Sequence, residues 1–391
     1  MGAVSAFDEH EGIISSGLCG FDINCGINLI RTNLTYNEVK DRINELVKNL
    51  YDKVPVGVGS KGKLKLTDSQ LNEVLTNGSK WAVDNGYGVK EDLKNTEENG
   101  CMPGAEPSKV SKLAKDRGRQ QLGTLGAGNH FLELQKITHI LDEKQAAKWG
   151  IKEKNQITIM LHCGSRGLGH QVATDYLKEQ EKAVKKYNIK IPDPQLVCAP
   201  VNSPEGQDFF AAMKAAVNFS FANRQVMTHW IREAFEKTFN KKWEEMDMQT
   251  IYGICHNVIK FEKINGKNYY IHRKGATRSY PDMPVLIAGS MGTSSYLLKG
   301  TQEALEKTFG SSAHGAGRAM SRNKAISKFR GQDVVKALAE KGIVSKSPSL
   351  KGMAEESPES YKDVEEVINS VKGAKISLPV ARMVPIGVIK G

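Results

Sequence analysis

Between Thr35 and Tyr51 the apolar positions Val39, Ile43, Leu46, Val47 and Leu50 recur at three- and four-residue intervals, the spacing that lines one face of a helix. Thr35 and Glu38 supply a capping box at its start, and Pro55 stops it. Similar patterns predict helices over 170–187, 207–239, 334–341 and 360–371, the last introduced by Ser357 and Pro358. Shorter runs, β-branched or aromatic and bounded by Gly or polar residues, predict strands over 156–161, 251–255, 268–271 and 284–287. The two kinds of element are interleaved without a regular strand-helix-strand rhythm. The fold class expected is therefore α+β, an irregular mixed α/β arrangement, rather than a doubly wound sheet or a barrel. No repeat of fixed period interrupts the pattern, and the Gly, Pro and Ser clusters are too short for interdomain linkers. One large domain over residues 1–391 is expected, with central sheet flanked by helices.

Composition narrows the class. With 39% hydrophobic and 25% charged residues the chain has the means to build a core, which excludes disordered and fibrous classes. Fifty-five Lys and Arg against 44 Asp and Glu leave a net charge of +11, a surplus that attracts phosphates before any contact is made. No run approaches the roughly 18 apolar residues of a membrane span, and the opening MGAVSAFDEHEG lacks the charged-then-apolar pattern of a signal peptide. A cytoplasmic protein with no membrane partner is expected. The six cysteines, Cys19, Cys25, Cys101, Cys163, Cys198 and Cys255, form no CxxC pair, so each is a small buried hydrophobe or a ligand rather than part of a disulfide scaffold.

Candidate chemistry gathers where predicted strands end: LHCGSRGLGH at 161–170, CHNVIK at 255–260, HRKGATR at 272–278 and AGSMGTSS at 288–295. FDINCG at 21–26 and LGTLGAGNHFLE at 122–133 share their character, and glycine at this density lets backbone N–H groups approach an anion. The familiar nucleotide motifs fail. GVGSKGKL at 57–64 fits the first seven positions of a Walker A loop, but Leu64 stands where Mg²⁺ needs Ser or Thr, and the segment follows a helix instead of a strand. Gly123, Gly126 and Gly128, and again Gly164, Gly167 and Gly169, run in the reverse of the dinucleotide order. Among the histidines, His130, His162, His256 and His314 sit in Gly- or Asn-containing turns that would aim an imidazole into a cleft, as a metal site assembled from distant segments requires. His10, His139 and His229 read as surface or satisfied groups, with His170 and His272 intermediate. Asp22 and Cys25, three residues apart, could chelate one ion through carboxylate and thiolate.

FDINCG, LGTLGAGNHFLE, HCGSRGLGHQ, CAPVNSPEGQDFFAAM, HRKGATR, GSMGTSSY, HGAGRAMSR and the terminal VARMVPIGVIKG together resemble the RtcB family of RNA-splicing ligases, through practically the whole chain. The resemblance implies a GTP- and Mn²⁺-dependent RNA ligase. It would seal an RNA 2′,3′-cyclic phosphate or 3′-phosphate to an RNA 5′-hydroxyl through a guanylylated histidine, in tRNA splicing or RNA repair, with an archease-like activator as a candidate partner. Carried over residue by residue, it implies two ions held by Asp22, Cys25, His130, His162 and His256, with Cys25 bridging. Asp22 and His130 would complete one shell, His162 and His256 the other. The nucleophile falls on His314. The guanylate pocket falls on Asn129, His130, Phe131, Leu132, Glu133, His256, Asn257, Ala288, Gly289, Ser290, Met291, Ser295, His314, Gly315, Ala316, Gly317 and Lys390, with Tyr361 against the base. Glu133 accepting from guanine N1 and N2, and Lys390 donating to O6, would reject adenine. Arg166, Arg318 and Arg322 are candidates for RNA phosphates. The chain departs from the family's pattern at Ala313, where cysteine is expected, at Ala288, where proline is expected, and in having few residues before FDEHEG, so a shortened N-terminal part is expected. Two rivals are a metal phosphodiesterase that only opens cyclic phosphates, and a non-catalytic RNA-binding homologue.

Overall fold

The computed structural model describes residues 2–391, and its spine is an eleven-stranded sheet. Nine strands form the main path in the order Ala3–Asp8, Lys267–Arg278, Thr250–Ile264, Cys25–Thr35, Gln156–Cys163, Phe131–Ile140, Ser377–Lys390, Ser295–Gly300 and Pro284–Ile287. All neighbours on this path are antiparallel. Ser311–Ala313 adds to Lys267–Arg278, and Val344–Lys346 runs parallel beside Ser377–Lys390. The α+β expectation holds, with helices packed on the sheet.

The middle of the sheet is covered on both faces. In Gln156–Cys163, where every residue is buried, Ile157, Ile159 and Leu161 enter the main helical core while Met160 joins a second cluster with Ile27, Leu29, Phe131 and Met383. A strand buried on both sides needs no polar alternation. Thr35 does start a helix, with the capping box made by Glu38, and the helical path runs through a tighter turn at Lys40–Arg42 into Ile43–Lys53. The predicted strands at 251–255 and 268–271 are pieces of one long hairpin, Thr250–Ile264 and Lys267–Arg278, turned at Asn265 and Gly266 with φ of 49° and 84°. The strands Cys25–Thr35, Phe131–Ile140, Ser295–Gly300 and Ser377–Lys390 show no clean period in the sequence, and the site is built on their ends.

Pro204–Phe239 is the longest helix, 36 residues, entered through Ser203, whose hydroxyl accepts from Gly206 N, and closed by Asn240 in the left-handed region. It is buried on nearly all sides. Apolar side chains such as Phe209, Phe219 and Phe235 fill the core, but Ser220, Asn223, Arg224, Thr228 and Arg232 are buried with them. No helix among the described residues is long and apolar enough to cross a membrane.

Candidate active site

The site lies at one end of the central strands. Cys25 opens its strand and pairs in register with His256; His162, next to the end of its strand, faces both Ile27 and Phe131. His130 immediately precedes the strand Phe131–Ile140, and His314 immediately follows Ser311–Ala313. Two expectations are corrected here. His162 belongs to the strand itself rather than to a following turn. His256 lies inside the long strand Thr250–Ile264, at a bulge between His256 and Val258 where Asn257 takes φ of 59°. A bulge re-aims a side chain without ending the strand, so His256 reaches the site from mid-strand.

Asp22, Cys25 and His130 bring their ligand atoms within 4.8 Å of one another, and so do Cys25, His162 and His256; Cys25 is common to both groups. Cys25 Sγ lies 3.1 Å from His162 Nε2 and 3.4 Å from His130 Nε2, and Asp22 Oδ2 lies 2.7 Å from His130 Nε2. His130 Nδ1 donates to the Leu125 carbonyl (3.1 Å), which turns Nε2 toward the cluster. Asp22 Oδ1, His162 Nδ1 and His256 Nδ1 are buried with no hydrogen-bond partner among the described residues. Orphaned ligand-type atoms around a shared thiol are what a pair of metal ions would satisfy, so the donor set fits.

Burial and neighbouring charge set the protonation states. Burial, reinforced by nearby imidazoles, holds His162 and His256 well below the usual histidine range, leaving neutral rings suited to ligation. For His130 burial acts in the same direction, but Cys163, Cys25 and Asp22 outweigh it and hold the ring well above the usual range. Burial would raise Asp22, yet the His130 beside it prevails and keeps the carboxyl low. Burial, with Asp22 nearby, pushes the Cys25 thiol up to about 12, so a thiolate here needs a cation next to it.

His314 packs 4.2 Å from His256, ring centroid to ring centroid, and its Nδ1 donates to the Gly275 carbonyl (2.6 Å). Its pKa is lowered by burial, which the Gly275 bond only partly offsets. A neutral ring whose Nδ1 carries the proton leaves the lone pair on Nε2. The ring lines a cavity of about 220 Å³ together with Asn129, Phe131, His162, Ala288, Gly289, Ser290, Gly315, Ala316, Gly317, Arg318, Arg322 and Tyr361. A wider cleft of about 730 Å³, which includes Asp22, His130, Arg166, His170 and Lys351, meets this cavity at Asn129 and Arg322.

Glu133, Lys390, Ser295, Leu132, Met291 and Asn257 stand around the cavity rather than on its wall. Glu133 and Lys390 are buried beside Phe131, and Lys390 pairs with Phe131 across the strands. Glu133 Oε2 accepts from Gln135 (2.7 Å) while Oε1 has no partner; Lys390 Nζ has no hydrogen bond and lies 3.6 Å from Glu356. Burial raises Glu133 to about 7 against the opposing pull of Gln135 and Lys390. Ser295 Oγ accepts from Gly289 N and Gln135, tying the Gly289 loop to the sheet. Leu132 and Met291 point into apolar clusters. Asn257 spends its side chain on backbone, accepting from Gly275 N (2.7 Å) and donating to the Asp22 carbonyl (3.1 Å). Arg318 is held by Glu356 and the Glu355 carbonyl and lies 5.1 Å from the Tyr361 ring centroid, whereas Arg322 is exposed at the mouth and Arg166 reaches Thr124 Oγ1. Sequence reasoning missed the carbonyls of Leu125 and Gly275, which have no side-chain signature, and Cys163, whose Sγ lies 3.8 Å from His130 Nδ1.

Two potential ligand sets sharing a thiol lie beside a buried imidazole with a free lone pair, an arrangement suited to phosphoryl transfer. The family model described as tRNA-splicing ligase RtcB matches residues 1–391, and the chain belongs to the RtcB family. A tRNA-splicing ligase RtcB from Archaeoglobus fulgidus is 50% identical over 408 aligned residues, covering 100% of this chain and 84% of the relative. Proteins of the same description from Methanococcus maripaludis (49%) and Thermococcus kodakarensis (50%) also align with 100% of this chain, covering 85% and 84% of their own lengths.

Proposed function

We propose that the protein is a GTP- and Mn²⁺-dependent RNA ligase that joins an RNA 2′,3′-cyclic phosphate or 3′-phosphate end to an RNA 5′-hydroxyl end, in tRNA splicing or RNA repair. The observation that carries this reading is the orientation of His314, whose Nδ1–H is committed to the Gly275 carbonyl so that Nε2 is free to attack. Nε2 attacks the α-phosphorus of GTP; a phosphorus–nitrogen bond forms and pyrophosphate leaves. The guanylyl group then passes to an RNA 3′-phosphate, generated by hydrolysis where the end is cyclic, and His314 is restored. The 5′-hydroxyl of the second RNA attacks that phosphorus, loses its proton, and GMP departs. Each step is an in-line displacement, in which positioning and charge neutralisation do most of the work.

Divalent ions at this site supply Lewis-acid charge to phosphate oxygens; Asp22, Cys25 and His130 would hold one, and Cys25, His162 and His256 the other. Thiolate and imidazole favour Zn²⁺ in affinity, so Mn²⁺ rests on the family relationship and on metal availability. The unsatisfied Glu133 Oε1 and Lys390 Nζ support guanine as the base. An archease-like activator and a cytoplasmic setting belong to the same reading. A phosphodiesterase that only opens cyclic phosphates would have no use for a buried imidazole prepared as a nucleophile. The test is incubation with Mn²⁺ and α-labelled GTP followed by denaturing electrophoresis. The expected result is an acid-labile, base-stable label on the native protein and none on His314→Ala, with metal content nearly equal in both. Undiminished labelling of the variant would move the nucleophile elsewhere.

A further inference from the structure

Buried arginines in this molecule generally face a carboxylate: Arg232 is gripped by Asp92 at 2.7 Å and Arg273 by Glu262 at 2.6 Å. Arg224, 1% exposed in the middle of the helix Pro204–Phe239, has no carboxylate partner among the described residues. A guanidinium is permanently charged and costly to bury without an anion, so what it touches instead is informative. Its Nη1 donates to the carbonyls of Asn24 and Cys163, both at 2.9 Å. The first carbonyl belongs to the loop that carries Asp22 and Cys25; the second belongs to the residue after His162. At Gly26 a Cβ would lie 2.3 Å from the Ile254 carbonyl and 3.0 Å from Arg224 Cζ, so the neighbouring strand and the guanidinium both press on this position.

Its helix neighbours act on the same backbone. Ser220, one turn earlier, donates to the Asn24 carbonyl (2.7 Å) and receives Arg224 Nη1 (2.7 Å). Asn223 donates to the carbonyls of Gly164 and Thr124 and accepts from Gly123 N and Thr124 N, fixing the segment that leads to His130. Positions 220, 223 and 224 share one helical face, and that face meets three ligand-bearing segments.

We propose that Arg224 is a positioning residue for the metal pair, clamping the Asp22–Cys25 loop to the end of the His162 strand at the separation that lets one cysteine serve both ions. The proposal rests on the two-metal reading given above. Cobalt(II) is the probe, because its thiolate charge-transfer absorption reports ligation by Cys25 independently of turnover. Native protein is expected to take up two equivalents and show that band. Arg224→Gln is expected to bind both ions more weakly, about tenfold or more, with a diminished band. Arg224→Lys keeps the charge, but its ammonium ends one bond short of the Nη1 position from which both carbonyls are reached, and it is expected to fail as Arg224→Gln does. Native-like titration of Arg224→Lys overturns the clamp. Removal of a core guanidinium can cost the fold itself, so thermal unfolding accompanies each titration and Ser220→Ala provides a milder arm. Weaker cobalt uptake by Ser220→Ala supports the proposal, and unchanged uptake overturns it. If native protein binds no cobalt, the two-metal reading falls and takes the clamp with it; if native and all variants bind two ions alike, only the clamp falls.

Discussion

Cys25 is the one side chain common to both ligand groups, and its thiol is too deeply buried to ionise without a cation beside it. Cys25→Ala is therefore expected to weaken both metals together, whereas His162→Ala weakens mainly one; metal titration separates the outcomes, and two full-affinity sites in the Cys25 variant would refute the bridge. Glu133 allows a second residue-level test. If Glu133, whose Oε1 lacks a partner, accepts from guanine N1 and N2 as proposed, Glu133→Ala should cost about 1–3 kcal/mol of GTP binding. Discrimination should shrink with it: loss of the N2 amine in ITP should matter to the native protein and much less to the variant, measured in the guanylylation step. At this scale much of the site was legible. Asp22, Cys25 and the histidines stand in short motifs whose residue types announce their chemistry. Leu125 and Gly275 were not legible, because a carbonyl that orients an imidazole can be supplied by any residue. Lys390, next to the last residue of the chain, has the sequence context of a solvated tail and is instead 1% exposed in the strand Ser377–Lys390.

The elements that carry the site were harder to read than its residues. Helices with one apolar face, such as Ile43–Lys53, declare themselves by period; strands buried on both faces, or interrupted by a bulge, do not. The turn at 97–100 shows how such a strand is secured. Glu98 and Asn99 both adopt positive φ, at 57° and 52°, and so direct Glu97 inward, where its carboxylate accepts from Cys255 N (2.8 Å) and meets Lys260 and Arg278. Burial opposes the charge on Glu97, but Lys260 and Arg278 prevail and bring its pKa down to about 2 from 4.5. A carboxylate depressed in this way stabilises the fold in full above pH 4.5, and progressively less as pH falls toward 2. Glu97→Gln should cost about 3 kcal/mol near neutrality. In denaturant titrations the gap between native protein and variant should narrow below pH 4.5, and a gap that stays constant down to pH 3 would show that Glu97 is not the titrating group. Because Cys255 precedes His256, the same variant tests whether the histidine's strand is held from outside the site.

At the scale of the whole molecule, fold class and family were legible while the path of the chain was not. Interleaved elements announced an α+β domain, but the sheet order brings residues 25, 162 and 256 side by side across three adjacent strands that are far apart in sequence. That order gives the site a place in time as well as in space. Contacts between distant segments form late, since chain entropy must be spent before they reward it. No fragment of this protein holds a complete ligand set by local structure alone, so on the proposed two-metal reading metal capture would belong to the closing moments of folding and mark its completion. A refolding chain supplied with cobalt should develop its thiolate absorption no earlier than the burial of Trp81 and Trp230 registers in fluorescence. Absorption that precedes that signal would mean the strands find one another around the ion, and the metal would then be a nucleus for the fold instead of its seal.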